Sequence, residues 1–144
     1  MKNLIIISLF LFSGLSHSKE VEGFFGASYT TFDEVDGYDT AGASARIKYN
    51  MYNSGKGLFL YSNFKGQSIV NFDALLGYGI RSSGKWYFEA GAGGFYSFYF
   101  GPGLGVLLST GIEFDSKWFM SLPLVIRSGG LGYLQISPMI GWRF

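Results

Sequence analysis

Residues 133–144 alternate in a way that few folds can use. Leu134, Ile136, Pro138, Ile140, Trp142 and Phe144 form one apolar row, and Gln135, Ser137, Gly141 and Arg143 stand between them, with Tyr133 and Met139 the large hydrophobic members of the second row. A period of two is the mark of a strand. Two rows of unlike chemistry make it a strand that separates two environments, because successive side chains leave a strand on opposite faces.

The pattern recurs. Period-two runs lie at 20–32, 40–52, 57–66, 69–81, 86–97, 103–114, 118–128 and 132–144. Each is roughly ten to thirteen residues long, against the nine to eleven that a tilted strand needs to cross hydrocarbon. Eight strands is an even number, and an even antiparallel set closes into a barrel with no unpaired edge. The reading is an all-β chain, an eight-stranded antiparallel up-and-down transmembrane β-barrel.

Parity within the runs tests this more sharply than their number. Ala41, Ala43, Ala45, Ile47, Tyr49 and Met51 oppose Ser44, Arg46, Lys48 and Asn50; Val70, Phe72, Ala74, Leu76, Tyr78 and Ile80 oppose Asn71, Asp73 and Arg81. Trp86, Phe88, Ala90 and Ala92 oppose Glu89, while Leu104, Val106, Leu108, Ile112 and Phe114 oppose Ser109 and Glu113. Trp118, Met120, Leu122, Leu124 and Ile126 oppose Ser121 and Arg127. No charge enters an apolar row, where Arg or Lys facing lipid near the midplane costs roughly 2–4 kcal/mol. A soluble β-sandwich or lipocalin-like barrel would turn the apolar rows inward. Against that alternative, the opposite rows are rich in Gly, Tyr and Phe and poor in the Lys, Glu and Thr that solvate an exterior.

The chain opens like a secretory signal. Met1-Lys2-Asn3 is a short basic start, Leu4 to Phe12 is apolar but for Ser8, and Ser16-His17-Ser18 supplies small residues for cleavage. The expected domains are a cleaved signal at 1–18 and the barrel at 19–144. No segment is long and apolar enough for a membrane-spanning helix. Cleavage removes Lys2 from the 11 Lys+Arg and balances them against the 10 Asp+Glu, so nucleic acid is not an expected partner. The chain has no cysteine, which excludes disulfides, thiolate metal sites and a lipoprotein anchor.

Outer-membrane barrels keep both termini in the periplasm, which assigns Asn53–Lys56, Ser82–Lys85 and Asp115–Lys117 to periplasmic turns. Lysine at the water boundary, followed at once by Trp86-Tyr87 or Trp118-Phe119, fits an interfacial girdle. The outer connections, Asp33 to Asp39, Gly66 to Ser68, Ser97 to Gly103 and Ser128 to Gly130, are all short, and Pro102 reads as a hairpin tip.

With its signal, its eight alternating strands and its terminal Ile140-Gly-Trp-Arg-Phe144, the chain resembles the small bacterial outer-membrane barrels of the OmpA/OmpX type over the whole of 19–144. The resemblance implies a location in the cell outer membrane. It also implies an assembly signal at Ile140, Trp142 and Phe144 for the barrel-assembly machinery, lipid and lipopolysaccharide as surroundings, and a monomer. It says little about activity, since such barrels include adhesins, anchors and lipid A-modifying enzymes. The outer loops are shorter than those of adhesive members, and no peptidoglycan-binding domain follows.

Chemistry is sparse. The single histidine, His17, lies in the signal, so no His-based triad, His metal ligand or thiol nucleophile is available, and neither catalysis nor a cofactor is expected. Glu89 and Glu113 sit on neighbouring strands at inward parity. They are expected to join an interior charge network of Arg46, Lys48, Asp73, Arg81, Glu89, Glu113, Arg127 and Arg143 rather than to share a catalytic proton. The acidic first loop, with Asp33, Asp36 and Asp39, is a weak candidate for a divalent ion and lacks the full EF-hand spacing.

Gly77, Gly79, Gly91, Gly93, Gly103, Gly105 and Gly111 also fall on inward parity. They either make room for large interior side chains, here Tyr87, Phe95, Leu107 and Phe119, or line a slot for an acyl chain or small amphiphile. Three functions follow in order: a structural or surface-interacting barrel without a large pore, a barrel binding or passing an amphiphile, and a lipid A-modifying enzyme with unusual residues.

Overall fold

A computed structural model describes residues 18–32, 40–51, 55–66, 70–98, 101–128 and 133–144. The strands are β1 (Ser18–Phe32), β2 (Thr40–Met51), β3 (Lys56–Gly66), β4 (Val70–Arg81), β5 (Trp86–Ser97), β6 (Gly101–Glu113) and β7 (Trp118–Ser128), then β8 (Tyr133–Ile136) and β9 (Met139–Arg143). Every pairing is antiparallel between neighbours in the chain, and β8 and β9 are two halves of one eighth stave. That stave pairs with β7 on one side and with β1 on the other, which closes the barrel. The fold is an eight-staved up-and-down β-barrel.

Two expectations need correction. Pro102 is not at a hairpin tip: β6 already begins at Gly101, and Pro102 lies within it opposite Tyr96. Gly101 takes φ 71°, the left-handed conformation that glycine reaches without strain, and this lets the chain reverse two residues earlier than the sequence suggests. The last strand is also not continuous. It is interrupted at Ser137-Pro138, although the register against both neighbours is the same above and below the break. Proline has no amide hydrogen to give a ladder, so the interruption is chemical rather than a bulge.

The apolar rows face out. Phe25, Phe64, Ile80, Phe88, Leu104 and Ile140 are all exposed, while Glu22, Arg46, Lys48, Asp73, Glu89 and Gln135 are buried. Water would not tolerate that exterior and hydrocarbon would not tolerate the reverse, so the wall is inverted relative to a soluble protein. Leu108 is 43% exposed and its neighbour Ser109 only 6%, which assigns the two faces without ambiguity.

Aromatic side chains ring the end that carries the termini. Trp86 is exposed beside its turn, and Trp118 and Trp142 meet edge to face with centroids 4.2 Å apart. The Lys117 ammonium lies 5.8 Å from the Trp142 ring centroid.

Candidate functional site

The lumen holds two polar assemblies. Near the termini, β1, β2, β4 and β5 each turn a charged side chain inward at nearly the same height. Glu89 on β5 receives Arg46 and, at 3.0 Å, Lys48, both from β2; all three side chains have zero exposure. Arg81 on β4 lies 2.7 Å from Glu22 and 3.4 Å from Glu89, bridging the two carboxylates. Arg143 on β9 reaches Glu22 at 3.0 Å, Glu113 at 3.1 Å and Glu20 at 3.4 Å. Four cations thus face four carboxylates, which is the composition that permits so much charge away from water.

Aromatic rings pack this network in place. Arg46 lies 4.8 Å from the centroid of Phe24, Arg81 4.3 Å from Tyr87 and Arg143 4.4 Å from Phe119. Cations over ring faces gain further from the absence of competing water. Charge and ring together fill the bore of an eight-stave barrel, which is only just wide enough for its own side chains.

Toward the loop end a second assembly is built of hydroxyls and amides. Tyr61 and Ser137 share a 2.6 Å hydrogen bond, Gln135 donates to Tyr61 at 2.8 Å, and Ser44 lies 3.0 Å from both Tyr61 and Ser137. Ser28 donates to the Asn63 carbonyl at 2.6 Å. All these residues are buried.

Of the residues singled out from sequence, Arg46, Lys48, Arg81, Glu89, Glu113 and Arg143 come together in the charged assembly. Asp73 and Arg127 do not join it, because their positions on β4 and β7 fall toward the loop end. Arg127 instead lies 5.1 Å from the Phe95 ring and donates to the Gly101 carbonyl at 3.4 Å. Asp33, Asp36 and Asp39 lie outside the described residues, as does the whole of 1–17 with His17. Ile140, Trp142 and Phe144 point outward along the final stave.

Sequence reading missed Glu22, which is central to the network. A signal was present: Glu20, Glu22 and Phe24 share one parity on β1, against Val21, Gly23 and Phe25. Adjacent Phe24 and Phe25 blur the contrast.

Most of the inward glycines are covered by side chains. A Cβ on Gly77 would lie 2.8 Å from the Phe59 ring, and one on Gly105 would lie 2.8 Å from Leu75; Phe59 also overlies Gly79 and Gly91, and Tyr87 overlies Gly111. Of the side chains expected over the glycines, Tyr87 lies against Gly111 and Phe95 against Gly105, and Phe59, which the sequence did not single out, covers Gly77, Gly79 and Gly91. Among the described residues no three His, Cys, Asp or Glu side chains converge to hold a metal ion.

No protein-family model matches the sequence, and no curated protein matches it. Solved structures do. The barrel is similar to Ail, the attachment invasion locus protein of Yersinia pestis, solved in complex with the heparin analogue sucrose octasulfate: TM-score 0.62 at 13% identity, over 87% of this chain and 98% of that one. It is also similar to the N-terminal β-barrel domain of Pseudomonas aeruginosa OprF, with TM-score 0.61 at 14% identity over 88% and 98%. A de novo designed transmembrane β-barrel matches equally well, with TM-score 0.61 at 12% identity over 87% and 95%. At such identities the likeness is one of fold. This chain has the fold of the small eight-stranded outer-membrane β-barrels.

Proposed function

We propose that the protein is a small integral protein of the bacterial outer membrane with a structural or surface-interacting role, performing no catalysis and forming no large pore. The observation that carries this reading is the pairing of an apolar exterior with a bore blocked by Arg46, Lys48, Arg81, Glu22 and Glu89 between aromatic rings. An open channel would need a hydrated lumen, and an enzyme would need an activated nucleophile beside a base. Buried carboxylates held between cations serve neither role.

Residues 1–18 direct export in this reading, and the Ile140, Trp142 and Phe144 row presents the strand to the assembly machinery. The mature monomer then sits among phospholipid and lipopolysaccharide. An amphiphile in a glycine-lined interior is the second reading, and the rings over Gly77, Gly91 and Gly111 leave it less room. Lipid A modification with unusual residues is the third.

Planar-bilayer recording tests the blocked bore, with no stable porin-scale conductance as the expected result. Porin-scale currents from the purified protein would refute the plug. Cell fractionation and gel mobility test the address: the protein should sediment with outer membranes and run faster before boiling than after. Recovery as a detergent-free periplasmic monomer would refute it.

A further inference from the structure

Two of the three prolines in the chain meet in the wall of the barrel. Leu124 pairs with Ile136 and Ser121 with Met139, so Pro123 on β7 stands opposite Ser137. The Ser137 amide donates to the Pro123 carbonyl at 3.0 Å. The reciprocal bond cannot form, because Pro123 has no N–H to give the Ser137 carbonyl. The next residue repeats the loss on the other edge. Phe144 donates to the Val21 carbonyl at 2.9 Å, and the alternation of that ladder turns Pro138 toward Ala27, whose carbonyl also lacks its ladder donor.

Side chains without partners gather at the same place. Thr30 and Gln135 are fully buried neighbours across the β1–β8 ladder, and neither Thr30 Oγ1 nor Gln135 Oε1 has a hydrogen-bond partner. Asn63 Nδ2, in the same cluster of hydroxyls and amides, has none either. The Glu22, Arg46, Arg81 and Glu89 atoms without hydrogen bonds differ in kind, because they belong to ion-paired groups.

The two halves of the last stave are therefore held unequally. On the terminus side of the break, Arg143 ties β9 to three carboxylates and Trp142 packs against Trp118. On the loop side β8 is four residues long, and its inward Gln135 holds to Tyr61 by one uncharged bond of 2.8 Å.

We propose that β8 is a flap hinged at Ser137-Pro138, which opens on the loop side and admits water and small neutral solutes to the hydroxyl and amide cluster while β9 and the charge network stay closed. Opening brings water to two carbonyls and three side-chain atoms that the closed wall leaves without partners, and this offsets the ladder bonds that β8 gives up. The lumen then has a blind chamber that opens at one end and no through-path. The inference rests on the membrane-spanning reading.

The β7 ladder supplies the test. Val125 and Arg127 turn their amides toward β8, while Leu124 and Ile126, at the same height, turn theirs toward β6. Nearer the termini Phe119 and Ser121 face β9, and Met120 and Leu122 face β6. Hydrogen exchange is followed by NMR on the full mature protein in lipid nanodiscs and corrected for intrinsic rates. Exchange at Val125 and Arg127 is expected to be at least tenfold faster than at Leu124 and Ile126, with no such ratio between the two sets nearer the termini. Simple fraying of strand ends would quicken both sets alike. Pro123→Ala restores the missing N–H and should reduce the ratio about tenfold, roughly the worth of one hydrogen bond.

A second readout uses single thiols in the cysteine-free chain, Ser28→Cys opposite Ser137 and Ser121→Cys beside β9. Methyl methanethiolsulfonate added to liposomes should modify the thiol at 28, about tenfold more slowly with Pro123→Ala, and spare the one at 121. Equal exchange ratios on the two sides of the break, a ratio unmoved by Pro123→Ala, or thiols at 28 and 121 that react alike or not at all would each overturn the proposal. If Pro123→Ala does not fold, the exchange ratios of the unsubstituted protein still decide. Failure of the membrane reading itself shows differently, as a fluorophore on Leu60→Cys that brominated phospholipid does not quench.

Discussion

In the half of the lumen near the chain termini, four cations and four carboxylates neutralise one another in a shared network; in the half toward the loops, beside the buried Asp73 and Arg127, Ser28, Ser44, Tyr61, Asn63, Gln135 and Ser137 hold one another with uncharged hydrogen bonds. Both halves pin the register of the staves, since each cluster draws on strands far apart in sequence. They differ in what a single deletion leaves behind. Removing one partner from a buried ion network strands a charge, and removing one hydroxyl strands at most a dipole.

The difference can be broken most forcefully at Glu89. Glu89→Ala leaves Arg46 and Lys48 facing no carboxylate on β5 and should destabilise the barrel by about 3–5 kcal/mol, read as a shift in urea-induced unfolding from liposomes. A loss under about 1 kcal/mol would mean that the network is hydrated in the membrane. Next in size is a charge on the outer wall: Leu108→Arg should cost roughly 2–4 kcal/mol by the same assay. Ser109→Arg points inward, where the expected cost is about 1–3 kcal/mol from overpacking.

The uncharged cluster should respond more gently. Ser137→Ala removes a hydroxyl bonded to Tyr61 and Ser44, for an expected loss of about 1 kcal/mol in unfolding free energy. A loss as large as that of Glu89→Ala would erase the distinction between the halves.

The smallest effect belongs to the turn between β6 and β7. The Asp115 carboxylate accepts the amides of Lys117 at 2.7 Å and Trp118 at 2.9 Å, which holds its pKa below the ordinary carboxylate value. Because the folded pKa is the lower one, its contribution is complete above the ordinary value and is lost as pH falls through the folded value. Asp115→Asn should therefore remove a slight acid dependence of stability, with a small loss at neutral pH that fades as pH falls through the folded value, as followed by unfolding midpoints from neutral to acidic pH.

Much of the wall was legible because lipid imposes a strict rule on every second residue. Ala41 to Met51 and Trp118 to Ile126 declare their outer faces without any partner being known. The lumen is harder, since parity says that Glu89 points inward but only register says that it meets Arg46 and Lys48 rather than Arg127. Asp73 and Arg127 share the network's parity and lie at the wrong height. Glu22 escaped because Phe24 and Phe25, on opposite faces, look alike in sequence. Phe59 was passed over for a related reason: the glycines that admit it lie on β4 and β5, neighbours that only the folded barrel supplies. The break at Pro138 leaves the apolar alternation intact, so the hydrophobic pattern gives no warning of it.

The central claim is that the apolar rows face lipid and the charged rows face a filled lumen. It is tested most directly by fluorophores on Leu108→Cys and Ser109→Cys in liposomes containing brominated phospholipid. Strong quenching at 108 and much weaker quenching at 109 is the predicted result, consistent with side chains that are 43% and 6% exposed. Stronger quenching at 109 than at 108 would invert the faces and contradict the account.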